Sequence, residues 1–591
     1  MSSLRDYLEI RTAVPVNFAP DGEAVLVLSD LTGTMQLYRV PSAGGPLEAL
    51  TDGSEPVSGA YLPSGNEVLV QRDAGGNERT QLSLLDPSTR GLEPLVNDPR
   101  FIHRAGGATR DGALVAYGSN RRNGVDFDVY VRSLEDGKER LLYAAGGWAE
   151  PAGFSPDGRW LAVQRLTERS GDNDLYLVEV ESGEVLHVSP HDDEAVFGRP
   201  AWLEDSRSFL FATSSGRDTV AIARYDLEER SWVYVLEDAW DLDPSTDWAG
   251  RRVLVEANVD GYSRLELRDA RTLEVQLEVP LPGRGVVSST AFSQDGTRLL
   301  VGFSSPVVPG DAWIYDLEGG TSTRLTESPS AVPAGSMVEP DLHRVASFDG
   351  ESVPVYTWGP SEPAAPLPVI VSIHGGPESQ VRPTFSALFQ YFVAHGFAVA
   401  APNVRGSTGY GKRYEHLDDV ELRLDSVRDL AALHDWLAAD GRFDSGRAVL
   451  YGGSYGGYMV LAGLAFQPER WAAGVDIVGI SNLVTFLENT ADWRRSYRER
   501  EYGSLEHDRE VLLAASPITR VEQIRAPLFI IHGANDPRVP LGEAEQIHRE
   551  LTGRGVRCEL LVYDDEGHGL KKLVNRIDAY GRAVAFITEV V

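Results

Sequence analysis

One turn, repeated seven times through the first half of the chain, constrains the fold more than any other feature. It reads Phe18-Ala19-Pro20-Asp21-Gly22, Tyr61-Leu62-Pro63-Ser64-Gly65, Ala108-Thr109-Arg110-Asp111-Gly112 and Phe154-Ser155-Pro156-Asp157-Gly158. It continues as Trp202-Leu203-Glu204-Asp205-Ser206, the degenerate Thr246-Asp247-Trp248-Ala249-Gly250 and Phe292-Ser293-Gln294-Asp295-Gly296. The fourth residues are separated by 43, 47, 46, 48, 44 and 46 positions. Short β-branched and aromatic runs follow each turn, Trp160–Val163 and then Leu175–Val178 in one repeat, Trp313–Asp316 in another, with almost no helical periodicity. A period of roughly 40–50 residues in an all-β region marks one four-stranded propeller blade per repeat. Seven repeats predict seven blades, and the regular spacing disfavours a stack of β-sandwiches.

From about Val338 strands alternate with helices, the pattern of a mostly parallel sheet covered on both faces. Leu367–Ile373, Phe397–Ala401, Ala448–Tyr451 and Leu528–Ile531 read as buried strands. Asp425–Leu433 and Ala462–Phe466 carry helical spacing, and the Pro-rich stretch 360–368 reads as a surface loop. The predicted division is a seven-bladed β-propeller over 1–335 and an α/β-hydrolase domain over 336–591, with a short N-terminal segment packing on the latter. A chain of 591 residues exceeds what a single core supports.

The net charge of −33 opposes binding to nucleic acid or anionic membranes, whose phosphates would repel it. Cys558 is the single cysteine, so no internal disulfide is available. With the polar start Met1–Asp6 this predicts a reducing, cytoplasmic setting. Cys558 lies in the strand-like run 556–562, where packing is its expected role. The twelve histidines are scattered, and no metal or cofactor constellation emerges.

The strand Ala448–Tyr451 runs into Gly452-Gly453-Ser454-Tyr455-Gly456-Gly457, and an apolar helix follows. Gly-x-Ser-x-Gly between a strand and a helix is the nucleophile elbow, in which the glycines remove Cβ atoms from a sharply turned backbone. A serine hydroxyl needs a base and an orienting acid, which in this fold follow in the order Ser, Asp/Glu, His after later strands. Asp536, in His532-Gly533-Ala534-Asn535-Asp536-Pro537, and His568, in Asp565-Glu566-Gly567-His568-Gly569, hold those positions. His532 competes for the base, and Asp564, Asp565 and Glu566 compete for the acid. Two backbone donors for an oxyanion are expected at Tyr455 and, after an earlier strand, at Gly376 in His374-Gly375-Gly376-Pro377.

A propeller ahead of an α/β-hydrolase domain resembles the prolyl oligopeptidase family of serine peptidases. His374–Pro377, Asn403-Val404-Arg405-Gly406-Ser407-Thr408-Gly409-Tyr410-Gly411, Gly452–Gly457 and Glu566–Gly569 look most like its acylaminoacyl-peptidase branch. The resemblance covers essentially the whole chain. It implies short peptide substrates, a propeller that filters them by size, no cofactor, and a homo-oligomer as an allowed state. It further implies that Arg538 binds a substrate backbone carbonyl and that Val539, Ile480 and Phe486 line the pocket before the scissile bond. Glu228-Glu229 does not match the paired glutamates of the dipeptidyl-peptidase branch, which favours a blocked N-terminus over a free one.

Arg494, Arg495, Arg498 and Arg500 stand close together in 492–500. They read either as a solvated helix face or as a receptor for a substrate carboxylate, which would turn the enzyme toward carboxypeptidase-like cleavage. A carboxylesterase would use the same three residues, and a propeller binding module with an inert hydrolase domain would need none of them.

Overall fold

A computed structural model describes residues 2–333 and 335–591. The chain divides into two compact units: residues 11–74 with 78–328, and the segment up to Ile10 with 75–77 and 329–591. The seam falls at Ser328/Pro329 rather than at 335. Val332 packs with Tyr7 and Ile10 in a small apolar cluster, which holds that stretch with the second unit.

Among the described residues the first unit contains seven four-stranded antiparallel sheets, each built from four consecutive strands. All seven repeated turns join the first and second strands of a sheet, as at 155–159 between Ala149–Phe154 and Trp160–Leu166. Their chemistry explains the repeat. The aspartate accepts the backbone N–H two residues on, at 3.0 Å for Asp111, 3.1 Å for Asp157, 2.8 Å for Asp205 and 2.9 Å for Asp295. The glycine then takes a φ that side chains avoid, +73° at Gly112 and +70° at Gly158. In the fifth turn Ser206 adopts φ +52° in place of a glycine. In the degenerate sixth, Ala249 stands where others carry the acid, and Asp247 accepts from Arg251 N at 2.7 Å instead.

Neighbouring sheets pack through alternating apolar side chains. Ala162, Leu175 and Leu177 meet Phe209, Phe211 and Tyr225 between two such sheets. The ring closes in the same way, with Leu300, Ala312 and Ile314 of the last sheet against Val25, Val27 and Val40 of the first. Among the described residues no strand is shared between first and last sheets, so apolar burial makes most of that junction, helped by Ser289 Oγ donating to Pro15 O at 2.6 Å.

The second unit is built on one eight-stranded sheet. Its strands are β1 (Asp341–Ala346), β2 (Ser352–Trp358), β3 (Leu367–Ile373), β4 (Ala398–Pro402), β5 (Phe443–Gly453), β6 (Ala473–Ile477), β7 (Leu528–Gly533) and β8 (Cys558–Tyr563). They lie in the order β1-β2-β4-β3-β5-β6-β7-β8, and all but the β1 and β2 pairings are parallel. Helices α1 (Arg423–Ala439), α2 (Tyr455–Phe466), α3 (Leu483–Asn489), α4 (Asp492–Tyr502) and α5 (Gly542–Gly553) connect or cover them. Helix α2 is apolar on every side because it is buried on every side: Tyr455 through Ala465 are all inaccessible. Cys558 is buried at the start of β8, and burial pushes its thiol up to about 12. Among the described residues no helix is long and apolar enough to cross a membrane.

Leu450 sits in central β5, fully buried among Leu430, Gly463 and other core groups. Leu450→Ala should lower stability by about 2–5 kcal/mol through lost burial and a residual cavity. Val574→Ala, at a side chain 71% exposed, should change it by less than about 0.5 kcal/mol. Denaturant midpoints of the two variants check the contrast.

Candidate active site

β5 ends in Ser454, whose backbone is held at φ +60°, ψ −118° immediately before α2. That conformation is costly for a residue with a Cβ and persists only where its surroundings enforce it. Ser454 N donates to Ile477 O at 2.8 Å, and its carbonyl accepts from Tyr458 N at 3.0 Å. The glycines leave no room for anything larger. A Cβ at Gly452 would stand 2.4 Å from Gly456 O, one at Gly456 2.2 Å from Ile373 O, and one at Gly457 2.4 Å from Asp476 Oδ1.

The loops after β7 and β8 deliver the next two residues. His568 Nε2 lies 2.9 Å from Ser454 Oγ, and His568 Nδ1 lies 2.7 Å from Asp536 Oδ2. The other Asp536 oxygen accepts from Arg538 N at 2.8 Å and Val539 N at 3.0 Å, so its own turn fixes the carboxylate. His532 stands behind this group with Nε2 3.0 Å from Val539 O, and burial lowers its pKa. Glu566 is turned away from the site: it accepts from Lys571 N and Lys572 N, each at 3.0 Å. Asp565 pairs with Lys572. Of the competing bases and acids, the structure therefore brings only His568 and Asp536 to Ser454.

The loop after β3 lies against the elbow. A Cβ at Gly375 would stand 3.1 Å from Gly453 O and 3.4 Å from the Ser454 Cβ, and Gly376 has φ +135°. His374 is half-buried with Nε2 2.9 Å from Ser407 Oγ. Ile480, Phe486 and Val539 are buried in the apolar core of this unit, and Arg538 is half-buried two residues past Asp536.

The four arginines of α4 do not form one surface. Arg495 donates to Leu487 O at 2.8 Å and Glu488 O at 3.0 Å, satisfying carbonyls at the end of α3. Arg494, Arg498 and Arg500 surround the Tyr497 ring. Arg498 is itself buried, bonded to Glu378 and Glu501 at 3.0 and 3.3 Å.

A profile described as the prolyl oligopeptidase family matches residues 383–591, and one for the prolyl oligopeptidase N-terminal β-propeller domain matches 117–328. The chain belongs to the prolyl oligopeptidase family. It is a serine peptidase of that family, with relatives on more than one of its branches. Dipeptidyl aminopeptidase BIII of Pseudoxanthomonas mexicana is 28% identical over 588 residues, 95% of this chain and 84% of that one. The acylamino-acid-releasing enzyme of Sus scrofa is 29% identical over 227 residues, 37% of this chain and 31% of that enzyme. A puromycin-hydrolysing peptidase of Mycobacterium tuberculosis superposes with a TM-score of 0.88 at 20% identity, covering 100% of this chain and 96% of its own. Identity at that level speaks for the fold alone.

Two buried acids near the site went unread in the sequence. Glu543, at the start of α5, accepts from Ser481 N at 3.1 Å and Asn482 N at 2.8 Å, pinning the loop that carries Ile480. Asp476 lies in β6, packed against Gly457 and Gly479 beneath the elbow. The only sequence signal for either was an acid inside or beside an apolar run.

Burial pushes the Asp476 carboxyl from 3.8 up to about 7. The folded chain keeps that proton through a window in which the unfolded chain has released it, so stability falls as pH rises across it. Asp476→Asn removes this slope. Its melting temperature should gain on that of the parent between about pH 4 and pH 7, as followed by thermal denaturation.

Proposed function

We propose that this peptidase cleaves short peptides through an acyl-enzyme formed on Ser454. The observation that carries the reading is the continuous contact from Ser454 Oγ through the His568 ring to Asp536. His568 Nε2 takes the hydroxyl proton as Oγ attacks the scissile carbonyl, and later gives it to the leaving amine. Asp536 holds the ring in the tautomer that leaves Nε2 free to accept. The N–H groups of Tyr455 and Gly376 receive the developing oxyanion. Water then repeats the sequence to release the acyl group.

Family membership supports peptides as the substrate, with a propeller that favours short ones over folded proteins. Arg538 is assigned to a substrate carbonyl, and Ile480, Val539 and Phe486 to the pocket for the residue before the scissile bond. The motifs in 374–377, 403–411 and 566–569 favour release of an N-acylated residue. The match to a dipeptidyl aminopeptidase across 95% of the chain favours a second reading, removal of dipeptides from a free N-terminus. A blocked aminoacyl-anilide and a free-amine dipeptidyl-anilide separate the two. At least a tenfold higher kcat/KM on the blocked substrate is expected, and a reversed ratio establishes the dipeptidyl reading. A p-nitrophenyl ester cleaved while both anilides stay intact would make the enzyme an esterase.

Ser454→Ala should abolish turnover of anilides and esters while the fold stands, leaving at most roughly 10³–10⁴ over the uncatalysed rate. Asp536→Asn should lower kcat by up to about 10⁴ by imposing the wrong imidazole tautomer. Both are checked by steady-state kinetics alongside circular dichroism. Free-acid and C-amidated versions of one peptide should be cleaved equally well, because Arg495 and Arg498 already donate to acceptors within the chain. Slower cleavage of the amide at low salt would restore the carboxypeptidase-like reading.

A further inference from the structure

The Tyr455 side chain points away from the active site into a line of buried charges. Its hydroxyl lies 2.9 Å from Asp418 Oδ2, and Tyr455 is fully inaccessible. Asp418 forms an ion pair with Arg423 at the start of α1. The other end of that guanidinium pairs with Glu501 of α4. Glu501 Oε2 accepts from Arg498 Nη1 at 3.3 Å. Arg498 Nη1 also lies 3.3 Å from Gly376 O, and its Nη2 donates to Glu378 at 3.0 Å. All four charged residues of the line are 4% exposed or less.

The two ends of this line are the two residues assigned to the oxyanion. Room has been made for it as well. A Cβ at Gly406 would stand 2.2 Å from Asp418 Oδ1. Arg423 lies over the rings of Tyr455 and Tyr502, which wall the line from solvent. The carboxylates at 418 and 501 converge on the Arg423 guanidinium, so the positive charge at their meeting point belongs to the chain itself.

Buried ion pairs are poor sources of net stability, since apolar replacements of equal volume often do as well. Planar guanidinium forks, by contrast, fix angles and distances between the groups they join. We infer that Asp418, Arg423, Glu501 and Arg498 form a positioning chain that locks the Tyr455 and Gly376 arms of the oxyanion site into one geometry. This rests on the assignment of the oxyanion donors under the proposed function. None of the four touches the reacting atoms. Their effect is to hold two backbone N–H groups, one at each end, at a fixed separation.

The test uses the full-length enzyme and two changes at opposite ends of the line, Tyr455→Phe and Arg498→Met. Tyr455→Phe removes one oxygen and keeps the ring, so it remains informative if Arg498→Met does not fold. Removing an oxyanion donor costs about 10²–10³ in kcat, and loosening one should cost about 10–100-fold. Each variant should show that loss in kcat with KM changed less than about threefold. Each should bind a peptide trifluoromethyl ketone, which forms a tetrahedral oxyanion on the serine, more weakly by the same factor. The double variant should lose less than the product of the two single losses, because both break one chain.

Several results would overturn the inference. One is a folded variant with parental kcat, and another is a rise in KM at unchanged kcat. A third is a loss of kcat with parental affinity for the ketone, and a fourth is a double variant that loses the full product. Ser454→Ala separates the levels. If it is inert while Tyr455→Phe is unimpaired, the positioning chain fails and the nucleophile assignment stands; if it retains parental turnover, the underlying assignment fails.

Discussion

Everything around the active site depends on one strained residue. Ser454 is held at a positive φ by hydrogen bonds to Ile477 and Tyr458, and by glycines at 452, 456 and 457 that let backbones meet where side chains would collide. The strain is affordable because the serine stands between a central parallel strand and a fully buried helix, neither of which can relax without opening the core. Once the elbow is fixed, the sheet does the rest. Strands β3, β5, β7 and β8 all end at the same edge, so their following loops bring Gly376, Ser454, Asp536 and His568 within reach of one another.

Most of this was legible in the sequence because it is written in local chemistry. The Asp-Gly turns needed only a carboxylate that accepts from a nearby N–H and a glycine that accepts φ near +70°. That need, met by the full Asp-Gly pair in four of the seven blades and by part of it in the others, recurs at a regular interval and so appears as a period. The elbow was legible because its serine and glycines fall in one short run between a strand and a helix, although the contacts that demand Gly456 and Gly457 come from Ile373 and Asp476, farther away in the chain. Strands β3 and β7, continuous apolar runs, were read within a residue or two of their observed ends. β6 was passed over because Ala473-Gly474-Val475-Asp476-Ile477 carries a glycine and an acid, both of which weaken a strand signal.

The helix α4 marks where reading from sequence stops. Its arginines showed a charge density but not their partners. Arg498 meets Gly376 and Glu378, 122 and 120 residues earlier, and Arg423 meets Glu501 across 78. Pairings that distant in sequence are set by the topology of the sheet and leave no local pattern. A basic run therefore left open both a solvated face, the favoured reading, and a substrate receptor. In the fold Arg495 satisfies the end of a helix, and Arg498 belongs to the buried interior.

Three acids show how the loops at the strand ends are kept rigid without large apolar contacts. Asp536 accepts the N–H groups of Arg538 and Val539, Glu543 those of Ser481 and Asn482, and Glu566 those of Lys571 and Lys572. In each case a buried carboxylate satisfies two adjacent backbone donors that an irregular loop would otherwise leave unpaired. Charge-assisted bonds of this kind are short and directional, so they fix where a loop lies and which way it faces. Asp536 is thus one member of a wider device. Asp536 spends one oxygen on its own turn and the other on His568, whereas Glu543 and Glu566 keep both for the scaffold. That division lets one residue type build the loops and also hold the His568 ring, so an acid beside a strand end in this chain signals a built loop first.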